Sequence, residues 1–156
     1  MKKIGYSLLA ICVFTLSLHA QESAEKEVEN TIRIFFQGMY DNDSTKIKAV
    51  TLPTTQLHSI VSPSETKNTQ VKEADFQGFI KNIGTKKPGL QLDERIHSYT
   101  IKIDGEMASA WTPYSFYVNN SFSHCGVNVF LLVRMKEGWK IQFIMDTRRK
   151  ENCVTE

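Results

Sequence analysis

The apolar period of this chain changes once, and that change fixes the class of fold open to it. Up to Gly84 apolar residues recur at spacings of three and four, the period of a helix with one buried stripe. From Glu94 onward they alternate, the period of a strand. In "AEKEVENTIRIFFQGMYDND", residues 24–43, Val28, Ile32, Phe35, Phe36 and Met39 make one stripe that Tyr40 extends, so a helix is expected there. "DNDS" breaks it and supplies a cap for a second, short helix. Ile47 and Val50 would face inward in that helix and Pro53 would stop it. "SPSETKNTQVKE" is polar and reads as loop. "EADFQGFIKNIG" predicts a third helix, with Phe76, Phe79, Ile80 and Ile83 apolar and Gly84 as its C-terminal cap.

After Glu94, "RIHSYTIKIDGEMASAWTPYSFYVNN" reads as two strands joined at Asp104-Gly105. "NNSF" turns the chain, "SHCGVNVFLLVRM" is a strand, "KEG" a turn and "WKIQFIMDTRR" the last strand. Helices first and strands after predict an α+β domain, with the helices packed on one face of a curved antiparallel sheet. "VNVFLLV" is apolar on both faces, whereas a sheet with one wet face alternates. Three short helices cannot cover both faces. Either a homodimer forms through the sheet, or this strand is buried at an edge within a monomer.

The opening "MKKIGYSLLAICVFTLSLHA" has two lysines, an uncharged apolar run and a small residue, Ala20, at its end. This is the pattern of a secretory signal peptide over residues 1–20, leaving one domain over 21–156. A retained N-terminal anchor is the alternative. Ile11 stands before Cys12 where a lipoprotein signal needs a small residue, which argues against lipid attachment. Lys2 and Lys3 account for the whole formal charge of +2, so the remaining domain is neutral. That balance removes any bulk-charge case for a nucleic-acid partner. No membrane span is expected once the signal is removed. The expected compartment is periplasmic or extracellular, where a paired Cys125 and Cys153 would form a disulfide.

Turn assignments set the strand registers. With Glu137-Gly138 as a two-residue turn, Asn128 lies opposite Thr147, Gly126 opposite Arg149 and Cys125 opposite Lys150. With Asn120-Ser121 as the previous turn, Tyr117 faces His124 and Trp111 faces Phe130. Cys153 is then near enough to Cys125 for a disulfide, and closing that loop contributes roughly 3.5 kcal/mol; two free thiols are the alternative. Asp146 and Arg148 share a face beside Val127 and Val129, while Arg149 points the other way, towards Gly126. These three either pin the strand end as ion pairs or contact a ligand, for which arginine suits a planar carboxylate or phosphate.

His124 has the ring for proton transfer near neutral pH. The register puts Asp146 opposite residue 129, about 16 Å from His124 along the strand, too far for a dyad. Trp111, Tyr114, Phe116 and Tyr117 either line a cavity for a flat ligand or serve as core and dimer surface. His58, His97 and His124 lack metal-ligand spacing, so no metal is expected. No nucleophile elbow, phosphate loop or dinucleotide fingerprint occurs, so no cofactor is expected.

"FFQGMYDND" with "LP" behind it resembles the start of the nuclear transport factor 2-like superfamily. The stretches "DERIHSYTIKIDGEMASAWTPYSFYVNNSFSHCGVNVF" and "GWKIQFIMDTRRKENC" are similar to its putative lumazine-binding branch, related to the SnoaL-like proteins. The resemblance runs from Val28 to Cys153, and "SHCGVN" and "DTRR" are its most specific pieces. It implies a cone-shaped, cystatin-like fold with a pocket. The superfamily holds isomerases, dehydratases and cyclases beside non-catalytic binding modules, so the resemblance implies no particular reaction. Many relatives carry His-Pro after the second helix; here the residues are Thr51-Leu52-Pro53.

The expected function is therefore an exported, non-catalytic module that binds a small molecule. The alternative is an isomerase- or dehydratase-like enzyme acting on a cyclic small molecule. The candidate ligand contacts are Trp111, Tyr114, Tyr117, His124, Asn128, Asp146, Arg148 and Arg149.

Overall fold

A computed structural model describes residues 5–61, 68–85 and 89–154, with side chains from Ser23 onward. The signal read over residues 1–20 lies outside the described residues, apart from helical backbone from Gly5. Helix α1 (Gly5–Tyr40) buries the expected stripe of Val28, Ile32, Phe35, Phe36 and Met39. It ends where Asn42 adopts a left-handed φ of 54° and Asp43 N–H turns back to the Gly38 carbonyl at 2.8 Å. Asp43 then caps helix α2 (Ser44–Val50), its carboxylate accepting from Thr45 N–H at 2.9 Å. Ile47 and Val50 are buried as expected. Among the described residues, no helix is long and apolar enough to cross a membrane.

The segment behind α2 corrects the sequence reading. Helix α2 stops at Val50 because Thr51 is already extended, before Pro53 is reached. Strand β1 (Thr51–Val61) follows, and part of the expected loop forms its neighbour β2 (Gln70–Ala74). Helix α3 (Phe76–Gly84) buries Phe76, Ile80 and Ile83. Its C-cap is Thr85 rather than Gly84, donating its N–H to Lys81 and Asn82 carbonyls.

Strands β3 (Leu92–Ile96) and β4 (Thr100–Asp104) replace the single strand expected there, and both pair with β5 (Met107–Val118). Strands β6 (Ser121–Met135) and β7 (Gly138–Arg148) complete a seven-stranded sheet, ordered β2-β1-β7-β6-β5-β3 with β4 also on β5. The sheet is mixed rather than wholly antiparallel, because β1 runs parallel to β7. A chain that leaves α2 and enters the sheet beside its last strand needs this crossover, which no hairpin signal announces.

Both central registers differ from the expected ones, by two next to the turns and by one beyond a bulge in each hairpin. The β5–β6 turn is Asn119-Asn120, each with positive φ, so Val118 pairs with Ser121 and Tyr117 with Phe122. A bulge beyond Tyr117 then sets Phe116 opposite His124 and Trp111 opposite Val129. Met135 pairs with Gly138 across Lys136-Glu137, and a second bulge between Leu131 and Leu132 sets Asn128 opposite Asp146. Cys125 faces Arg149. The Cys125–Cys153 disulfide is formed, with Cα atoms 5.7 Å apart.

The core lies between α1 and the inner sheet face. Phe35 and Phe36 meet Phe130 edge-on at 6.3 and 5.8 Å, over Ala108, Ala110, Leu132 and Ile141. On β6, Asn128, Phe130 and Leu132 are buried under the helices, while Leu131 on the opposite face is exposed. The helices therefore cover one side only.

Candidate functional site

The side chains near the "SHCG" and "DTRR" ends of β6 and β7 do not complete the core. They leave a cavity of about 290 Å³ under α1 and α3. Phe35, Phe36, Met39, Leu57, Phe79 and Ile144 are among its apolar walls. Its polar end is formed by Glu94, Tyr114, His124, Asn128, Asp146 and Arg148.

Local chain geometry gathers these groups. Gly126 has no room for a side chain, since a Cβ there would lie 1.8 Å from the Thr147 carbonyl oxygen and 2.9 Å from the Tyr114 ring. The tyrosine crosses over this gap and donates its hydroxyl to Thr147 O at 3.0 Å. Thr147 in turn offers its own hydroxyl oxygen to Val127 N–H at 3.1 Å. Thus the space beside Gly126, towards which Arg149 was expected to point, is filled by Tyr114 and the β7 backbone.

Asp146 is almost wholly buried, and both of its carboxylate oxygens are held. Arg148 Nε donates to its Oδ2 at 2.6 Å, Ser59 donates to its Oδ1, and Tyr114 OH lies 3.3 Å from Oδ2. Arg148 also donates to Ser59 Oγ at 3.0 Å. Burial works against the Arg148 charge, but the hydrogen bond and the negative charge of Asp146 outweigh it and raise the pKa. The pair presents nearly balanced charge to the cavity. A unit charge about 5 Å from both members gains and loses about 3 kcal/mol at an effective dielectric constant of about 20.

Glu94 is the group that the sequence reading missed. The residue is half-buried and lines the cavity. Its Oε1 accepts from Asn128 Nδ2 at 2.7 Å. Desolvation pushes its pKa up to about 8, with Asp146 adding to the rise and Asn128 and Arg148 opposing it. Glu94 is therefore mainly a neutral acid at pH 7. Its own strand carried the signal, because Leu92, Glu94 and Ile96 share a face and the two apolar neighbours fix that face inward. Glu94 and Phe36 also border an outer, polar cleft lined by Arg33, Gln37, Tyr40 and Tyr99. Ser59 was missed with its whole strand.

His124 stands beside Tyr114 and Phe116, with ring centroids at 5.7 and 5.1 Å, and its Nδ1 lies 3.0 Å from Ser123 Oγ. Desolvation, then the positive charge of Arg148, lowers its pKa, so the ring is neutral at pH 7. His124 and Asp146 line one cavity, but Asp146 lies opposite Asn128, four residues along β6 from His124, and no hydrogen bond joins them.

The other candidates fall outside. Trp111 is 53% exposed on the far face of the sheet. Tyr117 packs against Phe122 and under the Arg95 guanidinium, whose carbon lies 4.0 Å from the ring centre. Arg149 is exposed and donates to the Asn152 carbonyl at 3.3 Å. Among the described residues, no group of three or more His, Cys, Asp or Glu side chains is placed to hold a metal ion.

A sheet wrapped over a long helix with a cavity at one end defines the nuclear transport factor 2-like class, and solved structures agree. A nuclear transport factor 2 superfamily protein from Salmonella enterica is 15% identical, with TM-score 0.63 over 87% of this chain and 98% of that one. A protein described as a putative dehydratase from Streptomyces avermitilis is 10% identical, with TM-score 0.62 over 83% and 98%. A cystatin-like protein of this class from Novosphingobium aromaticivorans is 11% identical, with TM-score 0.62 over 97% and 94%. Within that class the chain belongs to the family described as "Putative lumazine-binding", whose pattern matches residues 23–143. No curated protein matches it at a significant level.

Proposed function

We propose that the protein is a binding module for a small molecule, seated in the cavity between α1, α3 and the inner face of the sheet. The observation that carries this reading is the division of the cavity. Apolar walls give way at one end to Glu94, Asn128 and Arg148, the composition of a site that sequesters a body and orients one polar group. Its volume of about 290 Å³ suits a ligand of one or two rings. Native mass spectrometry of the protein purified from its own source tests this. A stoichiometric adduct below about 300 Da, lost in a Phe79→Arg variant that still folds, is the expected result. An adduct-free protein whose melting temperature no member of a fragment library raises would sink the reading.

Binding without turnover is the preferred form of this function, because both carboxylate oxygens of Asp146 are held, by Ser59 on one side and by Arg148 and Tyr114 on the other. An isomerase- or dehydratase-like enzyme is the second reading, favoured by one observation: His124, its pKa lowered by desolvation, and Glu94, its pKa raised by desolvation, line the same cavity. It requires turnover that falls at least a hundredfold in both His124→Ala and Glu94→Gln. Export to the periplasm or beyond, after loss of residues 1–20, fits the disulfide. A homodimer through the uncovered face of the sheet completes the proposal.

A further inference from the structure

We infer that the cavity selects an uncharged carbonyl compound, an apolar body whose carbonyl oxygen meets Glu94, and that it rejects carboxylates of the same shape. This rests on the cavity being a ligand site at all, and it adds the ligand's chemical class.

An arginine in a pocket ordinarily suggests an anionic ligand, but here the arginine is already answered. Arg148 Nε is 2.6 Å from Asp146, and Ser59 bonds to both members. A carboxylate arriving beside Arg148 meets the Asp146 charge at a similar distance. The other titratable groups that share the cavity with Glu94 add no positive charge at pH 7. Tyr114 on β5 is held neutral by burial, and His124 on β6 is neutral for the same reason. From α1, Arg33 and Tyr40 face Glu94 only from the outer cleft, where Asp93 also lies. A carboxylate would therefore lose its hydration among Phe35, Phe79 and Ile144 with no net countercharge to replace it.

A neutral carbonyl meets the opposite conditions. Asn128 donates to Oε1 of Glu94, which leaves the acid proton for Oε2 and the cavity. A protonated carboxyl is then a strong donor on an apolar wall, suited to a carbonyl acceptor. It keeps this role until Glu94 ionises near pH 8, when the donor becomes a negatively charged acceptor.

Calorimetric titration of the protein with 2-naphthamide and with 2-naphthoate, equal in shape and different in charge, tests this at pH 7 and pH 9.5. The amide should bind at least tenfold more tightly than the carboxylate at pH 7, and its affinity should fall more than tenfold by pH 9.5. Glu94→Gln, with the fold checked by circular dichroism, should bind the amide with no such fall, since its donor persists at both pH values. Naphthoate binding as tightly as the amide at pH 7 overturns the inference while leaving the cavity a ligand site. So does amide affinity in the unaltered protein that does not change with pH. If neither probe binds, the small-molecule reading of the cavity fails with it.

Discussion

At the scale of single residues, Glu94 should leave a signature in stability as well as in binding. Its folded pKa of about 8 lies above the ordinary value of 4.5, so between these limits the native state holds a proton that the unfolded chain has lost. Stability is therefore greatest below pH 4.5 with respect to this group and declines as pH rises to 8. The slope is at most about 1.4 kcal/mol per pH unit. Urea denaturation from pH 5 to 8 should show the decline, and Glu94→Gln should flatten it and be the more stable form at pH 8. An unchanged slope in the variant would mean the carboxyl is ionised in the fold. Gly126→Ala is the second test, because its methyl would overlap the Thr147 carbonyl and the Tyr114 ring. A loss of about 2–3 kcal/mol is expected, read as a lower urea midpoint. A silent substitution would show that Thr147 can retreat freely. Asp146, Arg148, Tyr114, His124 and Asn128 were legible in the sequence as candidates because polar types near strand ends are conspicuous. Glu94 sat between two apolar neighbours and was hidden by the charged run Asp93-Glu94-Arg95 around it.

At the scale of elements, the helices and the C-terminal strands were legible and the strand β1 was not. A 3.6-residue period is a local property, so the buried stripe of α1 follows from its own sequence. The parallel pairing of β1 with β7 depends on segments some ninety residues apart, and Pro53 beside a polar stretch disguised it. Register failed for a different reason. Choosing Asn120-Ser121 over Asn119-Asn120 displaces every partner by two, and a bulge in each hairpin then takes back one and so reverses faces, without any marker in composition. The disulfide survived this error because Cys153 follows the strand end closely enough to reach Cys125 from either register. It closes a separation of 28 residues, so Cys153→Ser should lower stability by about 3 kcal/mol. The Cys125–Arg149 backbone pair, with N···O distances of 2.9 Å, should persist. Urea midpoints of oxidised protein and variant measure the difference. Two free sulfhydryls in the unreduced, denatured mature protein would remove the bond altogether.

At the scale of the whole molecule, the sheet is covered on one side and bare on the other, and that asymmetry argues for a partner. The bare side carries apolar residues on three strands, interrupted by Ser109 opposite Leu131 and Lys140 opposite Val133. Trp111, Val129 and Met145 lie in one line and Leu131 and Phe143 in the next, with Met107 beside Val133. Trp111 and Met107 are more than half exposed, and Leu131 is 40% exposed. The rule that an antiparallel sheet turns a polar face to water is broken here at every second position of β6. A second copy of the same face satisfies it, since a two-fold pairing sets each apolar patch against itself. A stable pair would hide about 800 Å² on each copy. The proposed dimer predicts a sedimentation mass of twice one chain at about 10 µM, and a melting temperature that rises with protein concentration. Trp111→Lys should give a monomer under the same conditions, because a lysine at the centre of the pairing carries unpaired charge into a dry interface. The exchange lies on the surface of one copy, so circular dichroism should remain that of the folded protein while the concentration dependence disappears. The unaltered protein sedimenting as a single chain at that concentration would leave the apolar row of β6 without a role in self-association.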